Sequence, residues 1–134
     1  MKVVIDTNVL MSAIFFGGQP LHVIRGWRAG AFEMVVTPAI LNEYRRVADE
    51  LAVEYPGADV EGVMDSIVMH ALILPDTSLP APVCSDADDD KFIACALVSG
   101  ARLIVSGDKH LLAVNGYQGL EVLKPGAFLQ KYPC

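Results

Sequence analysis

The stretch Lys2-Val3-Val4-Ile5-Asp6-Thr7-Asn8-Val9-Leu10 decides the fold of this 134-residue chain. Lys2 to Ile5 is a short β-branched run that ends on an acid, the pattern of a buried strand with a carboxylate at its carboxyl end. Asp6 or Thr7 then caps a helix running through about Phe15. After Lys2 the strand is apolar at every position and does not alternate. It therefore belongs in a parallel sheet whose two faces are both covered by helices.

The remainder of the chain repeats this alternation. Gly17 and Gly18 break the chain before Pro20, and Leu21 to Ala29 forms a second helix closed by Gly30. Glu33 to Val36 is the next strand. Thr37 before Pro38 signals a cap and first turn, after which Ile40, Leu41, Tyr44, Val47, Ala48 and Leu51 recur at helical spacing. This longest helix stops at Pro56-Gly57, and Val60 to Leu72 makes another. Pro75 to Ser85 holds three prolines and reads as a loop. A helix from about Asp86 to Ser99 ends at Gly100, Arg102 to Val105 is a strand, and Ser106-Gly107-Asp108 turns into a short helix. Glu121 to Leu123 is the last strand, and Pro125 starts a closing helix. The expected architecture is one α/β domain over residues 1–134, its central sheet mostly parallel and flanked by helices. Ligands of such sheets sit beyond the carboxyl ends of the strands, where Asp6 and Asp108 both lie.

At 53% hydrophobic and 19% charged, the chain is far too apolar for disorder. So much apolar content implies some surface that a partner covers. No apolar run approaches the roughly 18 to 20 residues needed to span a bilayer, and Asp6 arrives too early for a secretory leader, so a cytoplasmic protein is expected. Cys84, Cys95 and Cys134 are odd in number and widely spaced, which suits reduced thiols. The net charge of −6 argues at first against a nucleic-acid partner. However, five of the sixteen acids, Asp86, Asp88, Asp89, Asp90 and Asp108, are concentrated in one short segment, where bound cations would reverse the local sign.

Four acids stand out, each with an ordinary alternative. Asp6 and Asp108 sit where a helix cap is expected, and Ser106 is placed to orient the Asp108 carboxylate. Glu43 falls on the margin of the apolar sector of the longest helix, where flank carboxylates are common. Asp89 is the most informative. Projected on a helix at 100° per residue, it falls in the middle of the arc made by Phe92, Ile93, Ala96 and Leu97 and so points at the core. A carboxylate there needs a helix N-terminus, hydrogen bonds or a cation to compensate it. Asp88 and Asp90 project to the solvated flanks, and Asp86 is explained as a cap. Two strand ends and two helices thus deliver four carboxylates to one mouth of the sheet. Oxygen-only donors are what magnesium or manganese requires.

Asp6-Thr7-Asn8-Val9-Leu10, Glu43 within Thr37-Pro38-Ala39-Ile40-Leu41-Asn42-Glu43, Asp86-Ala87-Asp88-Asp89-Asp90-Lys91-Phe92 and Ser106-Gly107-Asp108-Lys109, in that order, resemble the PIN-domain family. The likeness is greatest to its branch of VapC-like ribonucleases, the toxins of toxin–antitoxin pairs. It covers nearly the whole chain. It implies a three-layer α/β/α fold and hydrolysis of RNA phosphodiesters by water activated by Mg2+ or Mn2+, leaving a 5′-phosphate and a 3′-hydroxyl. It carries the family's four acids onto Asp6, Glu43, Asp89 and Asp108, with Thr7, Asn8 and Ser106 in support. This chain has Asp86-Ala87 where the family usually shows Asp-Pro. By the same resemblance Asp6 and Asp89 hold the principal ion, while Asp108 and Glu43 complete the site or hold a second ion. An RNA substrate, a homodimer and a cognate antitoxin are the expected partners.

Lys91, Lys109, Arg45 and Arg46 are the nearest candidates for phosphate contacts, although each is also explained as an ordinary surface cation. His22, His70 and His110 form no ligand pattern. Trp27 reads as packing more than base stacking. Two other readings compete: an inactive PIN-like module that binds RNA or a partner without cutting, and a metal-binding receiver-like regulatory domain. The latter needs a lysine at a later strand end, and Lys109 falls in a turn after Asp108.

Overall fold

A computed structural model describes residues 1–133. Five strands, β1 (Lys2–Ile5), β2 (Glu33–Val36), β3 (Leu72–Ile73), β4 (Leu103–Val105) and β5 (Glu121–Leu123), form one sheet in the order β3-β2-β1-β4-β5. Every neighbouring pair is parallel. β1 lies at the centre, with Val3 against Met34 on one side and Ile5 against Val105 on the other. Burial follows directly: Val3, Val4, Ile5, Val35, Val36, Ile104 and Val105 are all inaccessible to solvent, as strands covered on both faces must be.

The helices are α1 (Thr7–Phe15), α2 (Gly18–Arg28), α3 (Pro38–Glu54), α4 (Val60–His70), α5 (Asp90–Ser99), α6 (Lys109–Leu112) and α7 (Pro125–Lys131). The chain runs from β1 outward to β3 and then back past β1 to β4, and the right-handed crossovers that parallel strands adopt put helices on both faces of such a sheet. α5 makes the return and packs on β1, β2 and β4, while α1 packs on α2 and α3, and α2 on α7. The α/β/α layering is therefore as expected, with a sheet that is wholly parallel. Trp27 is buried in the core, as the packing reading requires. Cys84 and Cys95 are free thiols, whereas Cys134 lies outside the described residues.

Two expectations need correction. The helix expected over Val60 to Leu72 ends at His70, and Leu72–Ile73 forms the edge strand β3, paired with Val35 and Val36. Ala71 takes up extended angles and Pro75 favours extended backbone before it, so the apolar tail of the helical pattern passes to the sheet. The helix expected from about Asp86 divides in two. Ala87–Asp89 is one 3₁₀ turn, closed by the Asp86 carboxylate accepting from the Asp88 amide at 3.1 Å, and α5 begins at Asp90.

The strand order reverses between β1 and β4, where one connection leaves toward β2 and the other toward β5. Such a switch point opens a crevice at the carboxyl ends of the two strands, because neither connection fills it. Asp6 leaves β1 there, and Ser106-Gly107-Asp108 leaves β4 there.

Candidate active site

Asp6 is 4% exposed and stands in the position of an N-cap to α1, yet its side chain makes no capping hydrogen bond. Instead its Oδ2 accepts a hydrogen bond from the Ser106 hydroxyl at 2.7 Å. Ser106 Oγ in turn accepts from the Asp108 amide at 2.9 Å. This inaccessible serine thus joins the two strand-end acids. Asp108 does cap, its Oδ1 accepting from the His110 amide at 2.6 Å.

α3 clamps the same turn from the other side. Tyr44, fully buried, donates its hydroxyl to the Ile5 carbonyl, and Thr7 donates its hydroxyl to Glu43 Oε2. The adjacent residues 43 and 44 therefore grip the chain immediately before and after Asp6. Glu43 is held at the margin of the helix's buried face, as its position beside Ile40 and Tyr44 predicts.

Asp89 is half-buried at the end of the 3₁₀ turn, with its Oδ2 4.0 Å from the Cys84 thiol. It lies outside α5, so the projection that aimed it into the apolar arc does not describe it. It faces the other acids from the rim of the core. Asp90 is no solvated flank residue either. Its carboxylate accepts from the Cys84 amide at 2.7 Å and the Val83 amide at 3.2 Å, pinning the proline-rich loop to the start of α5.

The four acids are close enough for their charges to act on one another. Burial pushes the Asp6 carboxyl above the ordinary carboxylate range, and the charges of Asp108 and Glu43 add to this against the Ser106 hydroxyl and the Thr7 amide. Burial, followed by the charges of Asp108, Asp6, Asp86 and Glu43, raises Asp89 to about 6. Such shifts mark carboxylates crowded in a partly dry site, a condition that a bound cation relieves. Burial also holds the Tyr44 phenol protonated.

As to a divalent ion, the donors are all oxygen and the crowded negative charge is of the right sign. Among the described residues, however, no three carboxylate, histidine or cysteine side chains converge into a finished cage. Magnesium tolerates this, since it keeps several waters and takes few protein ligands. The residues thus fit the ion in chemistry and charge.

Of the expected phosphate contacts, only Lys109 is exposed and in no ion pair among the described residues. Arg45 pairs with Glu61 at 2.5 Å and Arg46 with Glu50 at 3.3 Å. Lys91 turns inward, its Nζ 2.6 Å from Glu43 Oε1. Asn8 is exposed, and Thr7 is buried. His110 Nδ1 lies 2.7 Å from the Ser85 hydroxyl. Sequence reasoning missed Tyr44, which it counted as apolar, and the inward ammonium of Lys91. Neither partner is close in sequence, so no local pattern announces them.

The family model for the PIN domain matches residues 2–110, which include every residue of this cluster. The chain belongs to the PIN-domain family, whose members are generally nucleases that use divalent metal ions. No curated protein matches the chain. The strand order also separates it from receiver-like domains, whose sheets run 2-1-3-4-5.

Proposed function

We propose that the protein is an endoribonuclease that hydrolyses RNA phosphodiesters with the help of Mg2+ or Mn2+, and that Asp6, Asp89 and Asp108 hold the ion with Glu43 beside them. The observation that carries this reading is the crowding of four carboxylates at the switch point of the sheet, where burial and mutual repulsion raise Asp6 and Asp89. When bound, the ion supplies a Lewis acid that activates water at neutral pH and screens the phosphate.

The chain's own residues supply the rest. Ser106 fixes the orientation of Asp6 and of the backbone that presents Asp108. Thr7 and Tyr44 hold the β1–α1 turn against α3, so that Asp6 cannot swing out of the crevice. Asn8 and Lys109, both exposed at this mouth, are placed to meet the substrate backbone. In-line attack by water, without the RNA's 2′-hydroxyl, leaves a 5′-phosphate and a 3′-hydroxyl.

We read residues 1–134 as one PIN domain, because β5 completes the sheet and α7 packs on α2 beyond the matched segment. The role of toxin in a toxin–antitoxin pair, in the cytoplasm, rests on the resemblance of the sequence. Exposed apolar side chains favour a homodimer or antitoxin interface: Phe16 meets Tyr55 edge to face, and Val53, Val68, Met69, Ile73 and Val98 are exposed as well. No helix among the described residues is long and apolar enough to cross a membrane.

The test is cleavage of structured RNAs and matched DNAs in Mg2+, Mn2+ or EDTA by wild type, Asp6→Asn and Asp89→Asn. RNA cleavage that is lost in EDTA and in both variants is expected. Cleavage indifferent to EDTA and to both substitutions refutes the mechanism, and preference for DNA refutes the substrate.

A further inference from the structure

Lys91 faces the acidic mouth from α5 but is turned inward onto Glu43. It is the second residue of α5, and its ammonium lies where a phosphate-binding lysine is of no use. Nζ sits 2.6 Å from Glu43 Oε1 and donates to the Asp88 carbonyl at 2.8 Å, with the Phe92 ring centroid 5.5 Å away. The other Glu43 oxygen accepts from Thr7. Both side chains are largely covered, Lys91 at 23% exposure and Glu43 at 17%. By contrast, among the described residues no lysine, arginine or histidine lies within ion-pair distance of Asp6, Asp89 or Asp108.

Building on the metal-dependent reading, we infer that Lys91 is a fixed internal cation that claims Glu43, so that the mouth takes one divalent ion on the Asp6, Asp89 and Asp108 side and no second ion on Glu43. An ion ligated by Glu43 would stand a few ångströms from the ammonium, where like charges in a partly dry site repel strongly. A lysine whose head is anchored by a carboxylate and a carbonyl does not vacate that place cheaply, since both partners would be left uncompensated. Lys91 is also a positioning residue. Through the Asp88 carbonyl it ties the turn that carries Asp89 to α3, which grips Asp6.

The experiment counts Mn2+ bound per full-length chain at pH 7.5, by calorimetry and by electron paramagnetic resonance of free Mn2+, in wild type, K91R, K91M, E43Q and D6N. Wild type and K91R are expected to bind one ion. E43Q keeps that ion with a loss of affinity under about tenfold, the lower end of what an orienting partner is worth. K91M, which strips Glu43 of its partner, binds a second ion, and D6N loses the first by about 100-fold or more. A merely structural lysine would alter melting temperature and leave the stoichiometry alone. Two ions on wild type, one ion on folded K91M, or a loss in E43Q matching that in D6N overturns the inference. Should K91M not fold, E43Q and wild type still decide it. Failure of wild type to bind Mn2+ at all removes the metal reading itself, an outcome distinct from an ion that depends on Asp6 and on Glu43 alike.

Discussion

Asp6 and Asp108 each leave a strand of the sheet and each precede a helix with extended backbone angles, φ −63° and ψ 148° for the first, φ −77° and ψ 127° for the second. Asp108 uses its carboxylate as that position suggests and caps α6. Asp6 does not; it is deeper, and its carboxylate turns across the crevice to Ser106. The α1 amides go without a side-chain cap, a loss ordinarily worth about 1 kcal/mol. Stability is thereby forgone at one of two equivalent places, and the carboxylate it frees is the one at the centre of the sheet. A strand-end acid that declines to cap is thus a better marker of chemistry than one that caps.

Substitutions sharpen this contrast. Asp6→Asn should produce the largest effect, lowering RNA cleavage by on the order of 100-fold or more, with the metal-free fold as stable as wild type or more so. Initial rates and urea denaturation in EDTA check the two halves. If Asp6→Asn instead unfolded the chain, Asp6 would be a structural residue like any cap. Ser106→Ala comes next. It removes the group that joins the two acids, so cleavage should fall about 10- to 100-fold. Stability should fall by about 1 to 3 kcal/mol, with Ser106→Thr recovering much of both.

Asp108→Ala should cost about 1 kcal/mol more stability than Asp108→Asn, because asparagine still caps, while both lose cleavage. The corresponding pair at Asp6 should show no such gap. Equal gaps at the two positions would erase the distinction drawn between them.

The smallest effect is one of pH. Asp6 and Asp89 have folded-state values raised above their unfolded ones, so the metal-free folded chain binds more protons than the unfolded chain in that interval. Stability is then greatest below the ordinary carboxylate value and declines as pH rises through it, for Asp89 up to about pH 6. Urea midpoints in EDTA from pH 4 to pH 7 should fall in wild type and flatten in Asp89→Asn. Adding Mg2+ at pH 7 should raise the wild-type midpoint, since an ion that binds only the folded chain stabilises it.

Particular residues show how far the sequence could be read. Lys2–Ile5, Glu33–Val36 and Glu121–Leu123 have the expected bounds because each is an apolar run closed by a polar or proline signal. Leu72–Ile73 was not legible as a strand, since two apolar residues after a helix look the same whether they finish it or join a sheet. The order of the acids was legible, and so was the placement of Asp6 and Asp108 beyond strand ends. The Asp89 projection assumed helix one turn too early, yet the residue still lies close enough to Asp108, Asp6 and Glu43 for their charges to act on it. The attachments of Tyr44 to Ile5 and of Lys91 to Glu43 span 39 and 48 positions, and only the packing of α3 on α1 and α5, and of α5 on β1, creates them.

The hydrogen bond from Ser106 to Asp6 spans 100 residues of chain. β1 must therefore wait, since it gains its second neighbour, and Asp6 its partner, only after β4 has emerged. Such a long-range closure is slow by nature. For an enzyme that would cut RNA, it means that a nascent chain cannot close this acidic mouth before the segment carrying Ser106 and Asp108 has been made.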